Sequence, residues 1–558
     1  MSLDGHARTR GLSRFLPSRA DYSGLRQSWR TDVLAGITVG IVALPLALAF
    51  GVSSGVGAEA GLITAIVAGL VAAVMGGSHV QVSGPTGAMV VVLAPVVAVH
   101  GTGSVALVSL LAGLLVCALG ISGLGRAVAF IPWPVVEGFT LGIAAIIFLQ
   151  QVPLATGTAG IPGHNTLLAA IEAASGAAAP TVLLTLALVA GVAVVMVLVQ
   201  KLFRALPASL IAVLLTTAAA EVLRLDVPRI GALPHSLAAP SVPAVDVASL
   251  GSLAMPAVAI ACLAAIESLL SARVAAGLAG PDGTPSGAYS PDRELTGQGL
   301  ASIAAGLFGG MPATGAIART AVNVRSGAKT RLSAVVHAAV LLGIVYLAAG
   351  LVSRIPLAAL GGVLMVTAVR MVSRRTVAAI LRSTHSDAAV FVLTAIITVA
   401  FDLIVAIQIG LAAAAFFTLR KFASLSAVER EEISGPAIDG DEHIAVFRLD
   451  GAMFFGAAER VLQEISQVKD IQVAIIRLSQ LRMLDATGAH ALVEVISALE
   501  LRGITVLLKG VQPDHLALVT NVGVIRSLRH HKHLFSDLPA AIEHARSHVR
   551  RNAASASA

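Results

Sequence analysis

Phe308-Gly309-Gly310-Met311-Pro312-Ala313-Thr314-Gly315-Ala316-Ile317-Ala318-Arg319-Thr320 is a stretch punctuated by glycine and proline, with a single arginine in an otherwise apolar region. Pro312 and Gly315 disfavour a helix interior, whereas proline in a first turn followed by small residues favours a helix start. The stretch therefore predicts a short helix that begins inside the membrane region at about Pro312. The free N–H groups of such a start attract anions, and Arg319 adds a full positive charge.

A second copy of this pattern lies far upstream, at Val82-Ser83-Gly84-Pro85-Thr86-Gly87-Ala88-Met89. Interrupted hydrophobic segments in corresponding places of two halves are typical of inverted-repeat secondary transporters, in which facing half-helices hold the substrate. We therefore expect the substrate-binding residues to lie in the two motifs. They are Thr86, Gly87, Ala88, Thr314, Gly315, Ala316, Ile317, Ala318 and Arg319.

The composition indicates a polytopic membrane protein. Of 558 residues, 56% are hydrophobic and 12% are charged, and the mean hydropathy of +0.87 is too high for a soluble chain of this length. The net charge of +7 is spread over short loops and tails without an aromatic-rich soluble patch, which argues against nucleic acid as a partner. Cys117 and Cys262 each lie in an apolar segment, so no disulfide framework is expected. We recognise no nucleophile and base constellation and no metal-ligand cluster, and we expect neither an enzyme nor a cofactor.

Apolar segments of membrane-spanning length divide residues 31–421 into two halves, which we expect to form the transport domain. A connector rich in proline, from Glu221 to about Val247, separates them. The seven predicted spans of the first half are about 31–52, 58–76, a short one after Gly84, 103–123, 128–151, 179–199 and 207–223. The seven of the second half are about 250–273, 294–308, a short one from Pro312, 333–352, 357–372, 387–403 and 404–420.

The charges of the loops predict the orientation. With the N-terminal tail (residues 1–30) in the cytoplasm, loops after even-numbered spans should be basic. Such loops carry Arg325, Lys329 and Arg331 after the tenth span, and Arg370, Arg374, Arg375 and Arg382 after the twelfth. We therefore expect a multi-pass protein of the cell inner (plasma) membrane, embedded in lipid, with both termini in the cytoplasm.

A small soluble α/β domain is expected at 434–551, followed by a disordered tail at 552–558. After Lys421 charges become frequent and the apolar runs shorten. Strands are predicted at about 443–450, 471–478 and 504–508. Helices are predicted at about 457–466, 485–502, 513–521 and 538–549, and alternating strands and helices indicate one sheet.

Several ordered motifs resemble those of the sulfate permease (SulP) family, solute carrier family 26 in animals. The motifs of the membrane region are Leu34-Ala-Gly-Ile-Thr-Val-Gly40, Ser83-Gly-Pro-Thr-Gly-Ala88, Ile266-Glu-Ser-Leu-Leu270, Glu294-Leu-Thr-Gly-Gln-Gly299 and the stretch around Arg319. Leu484-Asp-Ala-Thr-Gly488 resembles a STAS domain. The resemblance implies a UraA-like fold of two inverted, intertwined seven-span repeats, a core and a gate domain, an elevator movement and a homodimer. Ala318 departs from the family's animal members, where serine is often found, so the backbone amides from Thr314 to Ala318 would carry more of the anion coordination.

Glu267 is the only charged residue between about Leu250 and Ser271. An intramembrane carboxylate is a functional candidate, because its burial is costly unless it has a partner or a role. We expect Glu267 to bind the coupling proton, since protonation removes a negative charge that repels the anion. The alternative is a structural ion pair with Arg319 or Arg273.

Two further residues carry expectations. His337 is expected to be a hydrogen-bonded packing residue. Thr487 occupies the position at which bacterial anti-sigma-antagonist relatives carry a phosphorylated Ser or Thr, but Asp485 and Thr487 before a helix are also ordinary N-cap residues.

These observations favour secondary active transport of a small anion such as sulfate, bicarbonate or a dicarboxylate, in symport with a proton. A channel-like or sodium-coupled anion transporter and a nucleobase permease of the same fold are the alternatives.

Overall fold

The computed structural model forms two compact units, Met1–Leu411 and Ala412–Ala558. It describes residues 15–556 except 23, 126–130, 159–165, 177–178, 204–205, 234–235, 238, 244–246, 282, 284–286, 402, 425–426, 434–437 and 454–469.

The first unit is mainly helical. A helix occupies each of the fourteen predicted apolar segments, and the last of these helices continues past Leu411 into the second unit. Those of the first half are Leu25–Ser53, Ala58–Met75, Gly87–His100, Ser104–Ile121, Trp133–Gln150, Ala179–Leu202 and Ala208–Val222. Those of the second half are Val247–Gly277, Pro291–Leu307, Ile317–Arg325, Leu332–Val352, Leu357–Met371, His385–Ala400 and Leu403–Ser424. The sequence did not predict the shorter helices Val152–Thr156, Thr166–Ser175 and Arg374–Leu381. Among the described residues, eight helices are long and apolar enough to cross a membrane.

Glycines allow the helices of the two halves to pack closely. A Cβ on Gly36 would lie 2.4 Å from the Ser333 carbonyl oxygen, and a Cβ on Gly299 would lie 2.5 Å from Cys117 Sγ. Without a hydrophobic driving force between helices in lipid, such small residues permit the close backbone contacts that hold membrane helices together.

The second short helix, Ile317–Arg325, begins later than the sequence predicts. The prediction of a start at about Pro312 is wrong because the residues before the helix pair with another segment. Thr314–Gly315 forms a strand, β2, that is antiparallel to β1 (Ser83–Gly84). The proline therefore precedes an extended segment. In contrast, the helix predicted after Gly84 begins at Gly87.

The second unit contains a six-stranded sheet. Its strands are β3 (Ala427–Glu431), β4 (Ile444–Met453), β5 (Val473–Arg477), β6 (Leu481–Leu484), β7 (Thr505–Lys509) and β8 (Leu534–Phe535). The order is β3-β4-β5-β7-β8, with β6 paired to β4, and all pairs are parallel except β3 with β4. The three predicted strands correspond to β4, β5 and β7.

Helices cover both faces of this sheet, at Ala486–Leu501, Pro513–Val522, Val524–Ser527 and Leu538–Ala556. One apolar cluster includes Ile476 and Leu492, and another on the opposite face includes Ile475 and Ala545. The last helix continues to Ala556, and the expectation of a disordered tail at 552–558 stays a prediction. Alanine has the highest helix propensity and extends this helix through residues 553–556. The helix predicted at 457–466 lies outside the described residues.

Candidate functional site

The two Gly/Pro motifs meet in a strand pair inside the first unit. In the antiparallel register Ser83 lies opposite Gly315 and Gly84 lies opposite Thr314. The N–H of Ala316 donates a hydrogen bond of 3.0 Å to the Val82 carbonyl. Because the strands run in opposite directions, the first half-helix (Gly87–His100) and the second half-helix (Ile317–Arg325) leave the pair at opposite ends.

Both half-helices begin without a side-chain cap. The N-cap residues Thr86 and Ala316 have extended backbones, and neither side chain accepts a hydrogen bond from its own helix. The first N–H groups of a helix have no intrahelical acceptor, and together with the helix dipole they favour an anion. Gly87 and Ala88 are buried at the first start, whereas Ile317 and Ala318 are exposed at the second. The site therefore has two sets of free backbone donors.

Within the predicted site, some backbone amides are already hydrogen-bonded to other protein groups, whereas others lie at the start of a helix. The N–H of Gly315 donates to Ser268 Oγ at 3.1 Å, and that of Ala316 is bound to Val82. These two amides are thus occupied inside the protein, although the sequence analysis included them among the anion donors. Ile317, Ala318 and Arg319 are the first residues of the second half-helix, so their N–H groups have no acceptor within that helix.

Arg319 links the second half-helix to the start of the first. Its side chain is 2% exposed, and Nη2 donates a hydrogen bond of 2.6 Å to the Pro85 carbonyl, two residues before Gly87. The buried Nη1 has no hydrogen-bond partner among the described residues. A buried charged donor without a partner is costly, so this atom is a ready donor for an anion.

Glu267 reaches the same place from the helix Val247–Gly277. Its carboxylate accepts a hydrogen bond of 2.8 Å from the hydroxyl of Thr86, and Thr314 and Arg319 are further neighbours. Among the described residues, no direct ion pair joins Glu267 to Arg319 or Arg273, and Arg273 is exposed. Arg319 still lies close enough to act on Glu267 through its charge, so an ion pair between the two stays a prediction. Glu267 contacts both broken segments, and its protonation can change the charge between the half-helices.

Ser268 is a central residue that the sequence analysis did not select. Its hydroxyl lies 3.0 Å from the Thr314 hydroxyl and accepts the Gly315 N–H, and its carbonyl accepts the side-chain amide of Gln81 at 3.2 Å. Ser268 is fully buried. The available signal was its position next to Glu267, since a hydroxyl beside an intramembrane carboxylate faces the same polar region.

At two positions of the strand pair only glycine leaves room for a neighbouring polar side chain. A Cβ on Gly84 would lie 2.6 Å from Arg319 Nη1, and a Cβ on Gly315 would lie 1.5 Å from Gln81 Nε2. Any larger residue would displace one of these side chains. The glycines therefore set the position of the arginine and of the amide that holds the Glu267 helix.

A second buried network fixes the segment before β1. The Glu294 carboxylate accepts the N–H groups of Gly77 and Ser78 at 2.8 and 2.9 Å. Gln298, one turn later, donates to both Glu294 and Ser83. The Glu294-to-Gly299 motif thus positions β1 and the segment before it.

The expectation for His337 is confirmed for packing and wrong for hydrogen bonding. The residue is fully buried, as a packing residue should be, but neither ring nitrogen has a hydrogen-bond partner among the described residues. In the second unit, Asp485 is confirmed as an N-cap residue because its side chain accepts the Gly488 N–H at 2.7 Å. Thr487 is exposed.

The chain matches two known families. Residues 29–394 match the Sulfate permease family, and residues 435–541 match the STAS domain. A putative sulfate transporter of Bacillus subtilis is 32% identical over 514 residues, which cover 90% of this chain and 95% of that protein.

Two solved structures resemble the chain. The transmembrane domain of a cyanobacterial bicarbonate transporter is 31% identical, with a TM-score of 0.60, and covers 70% of this chain and 97% of that one. The murine solute carrier 26 family member A9 anion transporter, in its inward-facing state, has a TM-score of 0.82 at 15% identity and covers 98% and 96% of the two chains. The second likeness shows the fold alone.

These matches confirm the resemblance found in the motifs and the expectation of a transporter rather than an enzyme. The protein belongs to the sulfate permease family and is a multi-pass membrane anion transporter with a C-terminal STAS domain.

Proposed function

We propose that the protein is a secondary active transporter that carries a small anion in symport with a proton. The observation that carries this proposal is the meeting of two uncapped helix starts, Arg319 and Glu267 around one strand pair. The donors hold the anion, and the carboxylate holds the proton.

The donor set favours a compact oxyanion. The free amides at Gly87, Ala88, Ile317 and Ala318 offer short, directional hydrogen bonds, and Arg319 Nη1 adds a charged one. The named relatives add candidates, because one is a putative sulfate transporter and another a bicarbonate transporter. Sulfate, bicarbonate and a dicarboxylate are therefore the substrates to test.

Coupling follows from the position of Glu267. While ionised, its carboxylate opposes the entry of an anion between the half-helices and is held by Thr86. Protonation removes that negative charge, so proton and anion bind together. An inward proton gradient then drives accumulation of the anion.

The fold-level part of the proposal comes from the family. We infer fourteen spans in two inverted repeats, an elevator movement of the core against the gate domain, and a homodimer. We place both termini in the cytoplasm and the transporter in the cell inner membrane. The fourteen helices and the two broken segments in corresponding places of the two halves support this arrangement.

Uptake into proteoliposomes tests the function. Labelled sulfate and fumarate are supplied while pH and sodium gradients are imposed separately, and unlabelled bicarbonate and uracil are added as competitors. We expect an inward proton gradient to drive anion accumulation and uracil to have no effect. Accumulation driven only by sodium would assign Glu267 to a sodium site, gradient-insensitive flux would indicate a channel, and competition by uracil would indicate a nucleobase permease.

The variant Glu267→Gln tests the coupling residue. Glutamine keeps an oxygen for the Thr86 hydroxyl and mimics the protonated acid, so the variant should still exchange the anion but no longer accumulate it. Glu137→Gln is the matched control, because Glu137 is a carboxylate outside the two motifs and accepts a hydrogen bond from Trp133. Wild-type accumulation and pH dependence in Glu267→Gln would overturn the assignment.

A further inference from the structure

Three histidines in the C-terminal unit bring their ring nitrogens together. His544 and His548 lie one turn apart on the helix Leu538–Ala556, and His533 precedes β8. One ring nitrogen of each lies within 4.8 Å of the others. We propose that His533, His544 and His548 form a binding site for one divalent transition-metal ion, most closely suited to Zn²⁺.

One pair of ring nitrogens already has the spacing of a zinc site. His544 Nε2 and His548 Nε2 are 3.3 Å apart. In tetrahedral zinc sites the bonds to imidazole nitrogen are about 2.0–2.1 Å, which places neighbouring nitrogens about 3.3–3.4 Å apart. Two histidines at positions i and i+4 on one helix face are known to supply two neighbouring ligands of a zinc ion. The His533 nitrogen lies within 4.8 Å of the other two, so binding of an ion would have to draw the rings closer.

His533 has a free nitrogen in a buried position. The residue is 4% exposed, and its Nδ1 has no hydrogen-bond partner among the described residues. The ring also hydrogen-bonds with the backbone of Val506. A metal-binding histidine commonly donates its other N–H to a carbonyl, which fixes the ring and directs the free nitrogen to the metal.

The three rings are shielded from solvent to different degrees. His533 is buried, and His544 and His548 are half-buried. A metal ion is bound by the lone pair of a neutral imidazole, so each ring would bind the ion in its neutral form.

The coordination sphere is incomplete with three protein ligands. His530 is the nearest further imidazole, with its ring centroid 6.1 Å from that of His533, but its Nδ1 accepts the N–H of Lys532. We therefore assign the fourth position to water or another exchangeable ligand. Imidazole ligands suit zinc, copper and nickel, and a tetrahedral edge favours zinc. The ion would tie the last helix to the segment before β8.

Titration of the full-length, tag-free protein in detergent tests the site. After chelator treatment, zinc is titrated against a chromogenic indicator, and metal content is measured by mass spectrometry. We expect one zinc ion per chain. Loss of an outer-shell partner costs 10–100-fold in metal affinity, so His544→Ala, which removes a direct ligand, should weaken binding by more than about 100-fold. Added Co²⁺ should give the visible bands of a tetrahedral site in the wild type but not in His544→Ala.

The control is His490→Ala, which removes an exposed histidine on another helix of the same unit. It should bind zinc as the wild type does. His548→Gln is the second ligand variant. Without metal, each variant should unfold at the same midpoint as the wild type, which shows that the substitution leaves the fold intact. Zinc should raise the midpoint of the wild type and of His490→Ala but not that of His544→Ala. Equal zinc affinity in wild type and His544→Ala, or equal loss in His490→Ala, would overturn the site.

Discussion

Replacing Arg319 by alanine tests the anion site most directly. The substitution removes the buried donor Nη1 and the positive charge between the half-helices, and it leaves the Pro85 carbonyl without the hydrogen bond from Nη2. The two helix starts and their free amides stay in place. Anion binding should therefore be weakened but not abolished.

The size of the effect follows from the number of lost contacts. A hydrogen bond between charged groups contributes about 1.5–3 kcal/mol. Each 1.4 kcal/mol corresponds to a tenfold change, so loss of the single bond from Nη1 raises the dissociation constant about 10- to 150-fold. Arg319→Lys retains the charge but lacks the planar guanidinium, which can donate to Pro85 and to the anion at the same time. The dissociation constant of the anion from Arg319→Lys should therefore lie between those of the wild type and Arg319→Ala.

Binding is measured by isothermal titration calorimetry on the purified protein, with uptake in proteoliposomes as a second readout. Arg325→Ala is the matched control, since Arg325 is exposed at the other end of the same half-helix. It should bind the anion within about twofold of wild type, because exposed charges are strongly screened. Unchanged affinity in a folded Arg319→Ala protein, or an equal loss in Arg325→Ala, would refute the reasoning.

Three further predictions concern other parts of the chain. Gly84→Ala places a Cβ against Arg319 Nη1 and should weaken anion binding in calorimetry with no change in net charge; wild-type affinity would contradict this. Burial opposes ionisation of Asp21, but hydrogen bonds from Ser18 and Arg293 outweigh it and lower its pKa to about 2. Relative to an unfolded pKa of about 3.9, the ionised form should stabilise the fold by about 2 kcal/mol above about pH 5, a contribution that disappears as pH falls toward 2. Denaturant unfolding of Asp21→Asn at pH 7 measures it, and equal stability to wild type would exclude it. Truncation after Ser424 removes the STAS domain and should change expression or transport rate; an altered ranking of substrates in competition assays would show that the domain shapes the site.

The helices and strands could largely be predicted because their signals are local. Apolar runs of membrane length identified the helices, and the charge change after Lys421 indicated the C-terminal α/β domain. The short strands β3, β6 and β8 were missed, because a strand of two to five residues that lacks a long apolar run becomes visible only through its partners. The start of the second half-helix was placed near Pro312 because the pairing of Thr314–Gly315 with Ser83–Gly84 depends on residues far away in the chain.

By itself, the sequence determined the family, the two broken segments and the two charged residues, Arg319 and Glu267, because an intramembrane charge and a Gly/Pro interruption are costly wherever the chain folds. Only the tertiary structure decided which groups are free. In the folded protein the Gly315 amide donates a hydrogen bond to Ser268, and Arg319 donates one to the Pro85 carbonyl. Glu267 accepts one from Thr86. The tertiary structure also gathered three histidines that no motif connects. Each of these contacts joins residues distant in sequence, and local chemistry does not specify which of them will meet.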